Sequence, residues 1–179
     1  MKLIILDQTG VINQSSDAFI KTPEEWIPIP GSLDAIARLT HSGYRVVIAT
    51  NQSGIGRGLL DMATYNAIND KMYKAVNQAG GRIDAIFFCP HTNADKCSCR
   101  KPATGLLDEI MQRYGVNLKN APAVGDSLKD LQAAAAVGAI PMLVLTGNGQ
   151  TTRTAKEIPA GTQIFENLAA VADALAGEE

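Results

Sequence analysis

Polar residues that could handle a phosphate group follow three apolar segments of this sequence. Asp7 follows the run LIIL, residues 50–53 (TNQS) follow VVIA, and Asp126 follows PAVG. Two carboxylates brought together would form a hard oxygen site suited to Mg²⁺, which prefers one or two carboxylates with water and phosphate oxygens. Hydroxyl and backbone N–H groups of residues 50–58 could hold phosphate oxygens, and Arg57 adds positive charge. Lys101 or Arg100 could neutralise the remaining negative charge of the phosphate.

Each of these signals has an ordinary structural interpretation when it is taken alone. An aspartate after a strand is often only a helix cap or a turn residue, which would explain Asp7 or Asp126. Asp130 is either a surface helix residue or a group that supports Asp126 from one helical turn away. The segment SGIGRG matches neither the position nor the spacing of a dinucleotide fingerprint, and it lacks the Walker lysine. Only the combination of these signals is specific.

A second group of residues has the chemistry of a zinc site. Cys89 and His91 form a CxH pair, and after five residues Cys97 and Cys99 form a CxC pair. Three thiolates and one imidazole complete a tetrahedral Zn²⁺ site and leave no open position, so we expect a structural metal. Three clustered cysteines also argue against a disulfide framework. The alternative is free buried cysteines; His41, in a predicted surface helix, is expected to be uninvolved.

The elements that must position these residues alternate between strands and helices. Apolar runs predict strands at residues 2–6, 45–50, 85–89, 121–124 and 141–145. Helical spacing, caps and glycine stops predict helices at residues 33–39, 65–76, 106–114, 127–137 and 167–176. The strands have no alternating polar face, which is typical of a parallel sheet covered on both sides.

The fold prediction is an α/β protein, a three-layer α/β/α sandwich with a doubly wound, mostly parallel sheet. In such sheets ligands bind beyond the carboxyl ends of the strands, where the polar residues lie. We expect one domain over residues 1–179, with a small flap at residues 13–30, a zinc loop and no large cap domain. Within the flap, packing is the preferred role for Trp26 and substrate contact the alternative.

Composition excludes several classes of function. With 46% apolar residues, 19% charged residues and a net charge of −2, the chain carries no electrostatic footprint for nucleic acid. The first apolar run is far too short for a signal peptide or a membrane span, so we expect a cytoplasmic protein with no membrane partner. No apolar repeat calls for a partner chain, and we expect a monomer that acts on a small molecule.

The segments DQTGVIN, TNQSGIGRG, CPH with CSCRKP, and GDSLKD occur in this order. With these motifs, residues 2–145 of the chain resemble the haloacid dehalogenase (HAD) superfamily. Within that superfamily they resemble the D-glycero-D-manno-heptose 1,7-bisphosphate 7-phosphatases of the histidinol-phosphatase-like subgroup. This resemblance implies an Mg²⁺-dependent phosphoric monoester hydrolase with a structural Zn²⁺. It further implies a role in making nucleotide-activated heptose for lipopolysaccharide or related glycans. Histidinol phosphate is an alternative substrate, since the enzyme that hydrolyses it has a similar domain and zinc loop.

The resemblance also implies roles for individual residues. Asp7 is the expected nucleophile, which forms an aspartyl phosphate, while Asp7, the backbone carbonyl of Thr9 and Asp126 hold Mg²⁺. Thr50 is expected to hydrogen-bond the transferring phosphoryl group and Lys101 to offset its charge. The residues expected to contact substrate are Asn51, Gln52, Ser53, Arg57 and Arg100, the arginines being suited to a second phosphate.

Thr9 departs from the pattern of this superfamily, whose hydrolytic members usually carry a second aspartate there as general acid and base. A threonine hydroxyl does not titrate near neutral pH, so it cannot replace that carboxylate. Loss of general acid and base catalysis costs ~10²- to 10⁴-fold in rate, and we therefore expect slow turnover. Another hypothesis is a phosphosugar-binding or phosphoryl-retaining protein. Whether Thr9 is a natural divergence or an introduced change stays open.

Overall fold

A single sheet of six parallel strands forms the middle layer of the protein. The computed structural model describes residues 1–177. In the sheet the strands take the order β3-β2-β1-β4-β5-β6, and every neighbouring pair is parallel. The strands are β1 (Lys2–Leu6), β2 (Tyr44–Asn51), β3 (Ala85–Cys89), β4 (Pro122–Gly125), β5 (Ile140–Val144) and β6 (Gln163–Phe165). The five strands predicted from apolar runs are confirmed to within about a residue, and β6 is an addition.

Helices cover both faces of this sheet. They are α1 (Ser32–His41), α2 (Ser53–Gly56), α3 (Met62–Gln78), α4 (Gly105–Tyr114), α5 (Leu128–Ala136), α6 (Gly149–Thr152) and α7 (Leu168–Ala176). Two short 3₁₀ helices lie at Pro23–Glu25 and Asn93–Asp95. The five predicted helices are confirmed, whereas α2 and α6, each only four residues long, were not predicted.

Two apolar clusters, one on each side of the sheet, hold the layers together. Side chains of β1 alternate between them, so that Ile4 and Leu6 enter the cluster built with α1, α3 and α7. Leu3 and Ile5 enter the opposite cluster, built with α4 and α5. Both faces of the sheet are therefore covered, which confirms the three-layer prediction. Trp26 is only 1% exposed and lies in the first cluster, as expected for a packing role.

The strand order reverses between β1 and β4. From β1 the chain proceeds outward to β2 and β3 on one side, and from β4 to β5 and β6 on the other. The connections therefore leave a crevice at the carboxyl ends of β1 and β4, where ligands bind in open α/β sheets. Between β1 and α1 the described chain contains only the flap, with no cap-sized insertion. Within residues 1–177, none of the helices has the length and apolar character that crossing a bilayer requires.

Candidate active site

Three carboxylates meet at the point where the strand order reverses. Leu6 of β1 is in register with Val124 of β4, and the backbone N–H of Asp7 donates to the Val124 carbonyl over 2.9 Å. Asp7 and Asp126 therefore leave adjacent strand ends together. One oxygen from each of Asp7, Asp126 and Asp130 lies within 4.8 Å of the other two. This confirms that the two predicted carboxylates converge.

The surroundings of these carboxylates disfavour their negative charge. Burial raises the pKa of Asp7 well above its usual range, and the charge of Asp130 raises it further. Burial, with the charge of Asp130, raises the pKa of Asp126 to about 6. A divalent cation among the three carboxylates would relieve this repulsion, and carboxylate oxygens are the ligands that Mg²⁺ prefers. The donor set therefore fits the metal that the sequence implied.

Lys101 supplies the positive charge already built into the site. Its side chain is 5% exposed, and its Nζ lies 2.9 Å from Asp130 Oδ1 and 3.7 Å from Asp7 Oδ1. The same Nζ donates a hydrogen bond to the carbonyl of Ala49. Burial lowers the pKa of Lys101, but the charges of Asp130 and Asp7 outweigh burial and raise that pKa. Lys101 is thus held as a cation beside Asp7.

Asn51 holds the backbone of Lys101 in place. Its Oδ1 accepts from the Lys101 N–H over 3.0 Å, and its Nδ2 donates to the Lys101 carbonyl over 3.2 Å. In the structure its amide joins the end of β2 to the loop that carries Lys101, so Asn51 positions Lys101. The substrate contact that the resemblance implied for Asn51 stays a prediction.

Asp130 links Lys101 to the turn that carries Asp126. Its Oδ2 accepts from the backbone N–H groups of Asp126 and Ser127, each at 3.2 Å, and from the Ser127 hydroxyl at 2.9 Å. Burial raises the pKa of Asp130, but the charge of Lys101 and the hydrogen bonds from the Lys101 and Ser127 side chains lower it overall. Asp130 is therefore an ionised support for both neighbours, in agreement with the second of its two interpretations.

A buried polar network, which the sequence did not reveal, lies behind Asp7. Gln8 is 2% exposed, and its Nε2 donates to Asn69 Oδ1 over 2.9 Å. Its Oε1 accepts from the Tyr65 hydroxyl at 3.0 Å and from Gln52 Nε2 at 3.3 Å. Gln52 Nε2 also lies 3.2 Å from the buried hydroxyl of Thr50. The network joins the loop after β1 to α3 and to the predicted phosphate ligand Thr50.

The predicted substrate residues Ser53, Arg57 and Arg100 lie in the segments that follow β2 and β3. Ser53 begins α2, and Arg57 follows that helix with its guanidinium 5.5 Å from the ring centre of Phe19 in the flap. Arg100 Nη1 donates to the His91 carbonyl over 3.4 Å. The two arginines therefore lie in separate places: Arg57 packs against the flap, and Arg100 lies in the loop of the Cys/His cluster.

Thr9 lies in the turn directly after Asp7. The backbone N–H of Gly10 donates to the Asn13 carbonyl over 2.7 Å. Because C=O and N–H point in opposite directions across a trans peptide, this bond fixes the direction of the Thr9 carbonyl. The backbone ligand expected at Thr9 is therefore held in one orientation, whereas the side chain supplies no titrating group.

The four predicted zinc ligands come together in the loop after β3. The Cys89–Cys97, Cys89–His91, His91–Cys99 and Cys97–Cys99 ligand atoms lie 3.3 to 3.6 Å apart. Tetrahedral Zn²⁺ separates such ligands by about 3.5–3.8 Å. Cys89 and Cys99 are nearer, at 2.6 Å, so binding a common ion requires them to separate by about 1 Å. The ligand types and their grouping fit zinc, and no disulfide joins the cysteines.

A further set of residues missed from the sequence follows β5. The Thr146 hydroxyl donates to the Gly10 carbonyl over 2.7 Å, and the backbone N–H of Asn148 donates to Asp126 Oδ2 over 2.9 Å. The Thr152 hydroxyl donates to the Asp126 carbonyl over 2.8 Å. The signal was available, since TGN is another polar segment directly after a strand.

Comparison with known proteins identifies close relatives of this chain. A family model for HAD-hydrolase-like proteins matches residues 98–171. The D-glycero-β-D-manno-heptose-1,7-bisphosphate 7-phosphatase of Bordetella bronchiseptica is 60% identical over 178 residues, 99% of each chain. The Pseudomonas aeruginosa protein of the same name is 51% identical over 173 residues, 97% of each chain. A crystal structure of the B. bronchiseptica phosphatase complexed with magnesium and phosphate superposes with a TM-score of 0.98, at 59% identity and full coverage of both chains.

Proposed function

Because this chain belongs to the D-glycero-β-D-manno-heptose-1,7-bisphosphate 7-phosphatase family of HAD-like hydrolases, we propose that it removes the 7-phosphate of that heptose bisphosphate. The observation that carries the proposal is the convergence of Asp7, Asp126 and Lys101 where the strand order reverses. The relatives' names specify the β anomer, which is the anomer we propose here. Supply of heptose for lipopolysaccharide or related glycans is the corresponding cellular role.

Asp7 is the proposed nucleophile. Its carboxylate oxygen forms a bond to phosphorus while the bond from phosphorus to the sugar oxygen breaks, and the leaving oxygen keeps the electron pair. A water molecule then attacks the aspartyl phosphate and releases inorganic phosphate and Asp7. Lys101 lies 3.7 Å from Asp7 and offsets the charge of the phosphoryl oxygens, and Thr50 donates a hydrogen bond to them.

Magnesium is the proposed catalytic cofactor. Asp7, Asp126 and the backbone carbonyl of Thr9 would hold it. The proposal is supported by the carboxylate oxygens of Asp7 and Asp126, which lie within 4.8 Å of each other, and by the hydrogen bond from the Gly10 N–H to the Asn13 carbonyl, which fixes the adjoining peptide. When bound, Mg²⁺ offsets the repulsion between the nucleophilic carboxylate and the phosphate. The B. bronchiseptica phosphatase forms a crystalline complex with magnesium and phosphate, which supports this assignment.

Because residue 9 is a threonine, no carboxylate at this position can protonate the leaving oxygen or deprotonate the attacking water. We propose that both protons then move to and from solvent, which slows both halves of the reaction. A phosphoryl-retaining chain with little turnover is the second candidate function, and Thr9 is the observation that favours it.

A structural Zn²⁺ is proposed at Cys89, His91, Cys97 and Cys99. Four protein ligands leave no coordination position for substrate, so the ion would organise the loop that ends at Arg100 and Lys101. Protein purified without chelator should contain one equivalent of zinc by elemental analysis. Zinc-free protein with a folded loop would contradict the assignment.

Burst and steady-state phosphate release, measured with the β-heptose bisphosphate and Mg²⁺, tests the catalytic proposal. Steady release that exceeds release from histidinol phosphate supports the proposed substrate, and the reverse preference contradicts it. One equivalent of heptose 1-phosphate formed with negligible release of inorganic phosphate, together with a phosphoprotein labile to hydroxylamine, would favour the phosphoryl-retaining function. The monomeric state and cytoplasmic location predicted from the sequence stay predictions, which light scattering and cell fractionation would test.

A further inference from the structure

The segment after β5 contacts the proposed metal site at three points. This β5–α6 segment, residues 146–152, lies outside the part of the sequence that carried the resemblance. Its contacts reach Gly10, next to Thr9, and both the side chain and the backbone of Asp126. We propose that the β5–α6 segment is a positioning element, which fixes the oxygens that hold the metal without binding the metal itself. This inference rests on the proposed magnesium site.

The first contact orients the carboxylate of Asp126. Asp126 is 4% exposed, and its Oδ2 accepts the N–H of Asn148 over 2.9 Å. A carboxylate bonded through one oxygen loses its freedom to rotate, and the other oxygen, Oδ1, keeps its full capacity to bind a cation. Since the donor is a backbone N–H, the identity of side chain 148 is of little importance to this contact.

The second contact binds the backbone of the turn that carries Asp126. Thr152 is 8% exposed, and its single hydroxyl proton can go to the Asp126 carbonyl at 2.8 Å or to the Asn148 carbonyl at 3.1 Å. The hydroxyl therefore joins the turn that carries Asp126 to the turn that carries the Asn148 donor. Removing it would leave a buried carbonyl without its partner and would loosen both turns at once.

The third contact reaches the Asp7 side of the site. Thr146 Oγ1 donates to the Gly10 carbonyl over 2.7 Å, across 136 residues of sequence. Gly10 N–H is already directed at Asn13, so the peptide units on both sides of Gly10 are fixed. One of those units carries the Thr9 carbonyl, the expected backbone ligand.

Close packing shows how little freedom this arrangement has. A Cβ atom at Gly147 would lie 2.3 Å from Asp126 Oδ2 and 2.6 Å from the Gly10 Cα. A Cβ at Gly10 would lie 2.0 Å from the same Oδ2. Both glycines have a positive φ, +56° at Gly147 and +86° at Gly10, which residues that carry a side chain rarely adopt. The carboxylate of Asp126 is thus enclosed between two backbone turns, one from each half of the sheet.

Direct Mg²⁺ binding by isothermal titration calorimetry tests the inference. Thr152→Val keeps the shape of the side chain but removes the hydroxyl, and it should weaken Mg²⁺ binding on the order of tenfold. Thr152→Ser should retain wild-type affinity because it keeps the donor. Thr151→Val, an exposed neighbour of the same type, is the matched control and should leave affinity unchanged.

One reference variant, Asp126→Asn, and a second test variant, Thr146→Val, separate the possible failures; Thr146→Val should weaken Mg²⁺ binding like Thr152→Val. Asp126→Asn should abolish binding; if it binds Mg²⁺ like the wild type, the proposed metal site is wrong, and this inference with it. If Asp126→Asn loses Mg²⁺ while Thr152→Val and Thr146→Val both keep wild-type affinity, the metal site stands and the positioning role is wrong. Circular dichroism identifies any variant that does not fold. If Thr152→Val does not fold, the Mg²⁺ affinity of Thr146→Val tests the positioning role instead.

Discussion

The phosphoryl centre, which comprises Asp7, Asp126, Asp130 and Lys101, and the Cys/His cluster both group side chains that could hold a metal ion, yet they differ in the contacts that the protein supplies to those side chains. The phosphoryl centre contains its own cation, Lys101, and it is supported by hydrogen bonds from β2, α5 and the β5–α6 segment. The Cys/His cluster runs from Cys89 at the end of β3 into the following loop, and the hydrogen-bonding contacts of its four ligand atoms are mainly with one another. The side chains of the phosphoryl centre are thus positioned by the fold, whereas the proposed zinc ion would complete the organisation of the Cys/His cluster.

Replacing Asp7, the proposed nucleophile, should have the largest effect on turnover and should affect the phosphoryl centre alone. Asp7→Asn should lower phosphate release by ~10⁴-fold or more, because no other group can form the covalent intermediate. Zinc content should not change. Stopped-flow phosphate release and elemental analysis provide the two measurements, with the exposed Asp34→Asn as control. Activity within about tenfold of wild type would contradict the role of Asp7.

Restoring a carboxylate at position 9 should have the next largest effect. Thr9→Asp should raise the steady-state rate by ~10²- to 10⁴-fold, since an acid and base becomes available beside the scissile bond. Thr9→Asn has nearly the same shape as the aspartate variant but cannot titrate, and it should stay slow. Equal rates for the three proteins would place the proton-transfer role elsewhere.

Removing a zinc ligand should act on binding more than on chemistry. Cys97→Ser should lose zinc and raise KM on the order of tenfold, because the loop no longer holds Arg100 in place. kcat should stay within about threefold, since Asn51 and Asp130 still hold Lys101. Ser98→Ala, an exposed neighbour in the same loop, is the control. A large loss of kcat at unchanged KM would show that the cluster participates in the reaction itself.

The smallest predicted effect concerns the polar network behind Asp7. Asn69→Ala removes the oxygen acceptor of the buried Gln8 amide and leaves it only the weak acceptor Met72 Sδ at 3.6 Å, so it should lower the free energy of unfolding by about 1–3 kcal/mol. Asn66→Ala, exposed on the same helix, should change it by less than about 0.5 kcal/mol. Chemical denaturation measures both. Equal stabilities would mean that the network contributes nothing to the fold.

The sequence predicted the parts of this protein that depend on local pattern. Buried parallel strands are continuous apolar runs, so β1 to β5 were visible, and the strand-end rule located Asp7, Thr50 and Asp126. β6 was missed because this edge strand of three residues is largely exposed and carries little apolar signal. The four-residue helices α2 and α6 are too short for helical periodicity to be recognised.

Long-range polar contacts were beyond the reach of local pattern. Gln8 and Asn69 are 61 residues apart, and neither residue type indicates a buried position by itself. The resemblance assigned Asn51 to substrate contact, but only the coordinates show that both ends of its side-chain amide bond to the backbone of Lys101. The residues after β5 lack ionisable side chains, and for that reason a search for acids, bases and metal ligands passed over them.

The position of the Cys/His loop at the edge of the sheet limits how its length can vary. β3 is the outermost strand and lies two strands from β1, so the loop must cross about 10 Å to place Lys101 beside Asp7. Only Arg100 separates the last thiol from Lys101, and one inserted residue there could displace the ammonium by ~3.5 Å. The exposed residues 93–96 precede Cys97, and an insertion among them can bulge into solvent. Length changes in this loop should therefore be tolerated before Cys97 and excluded after Cys99.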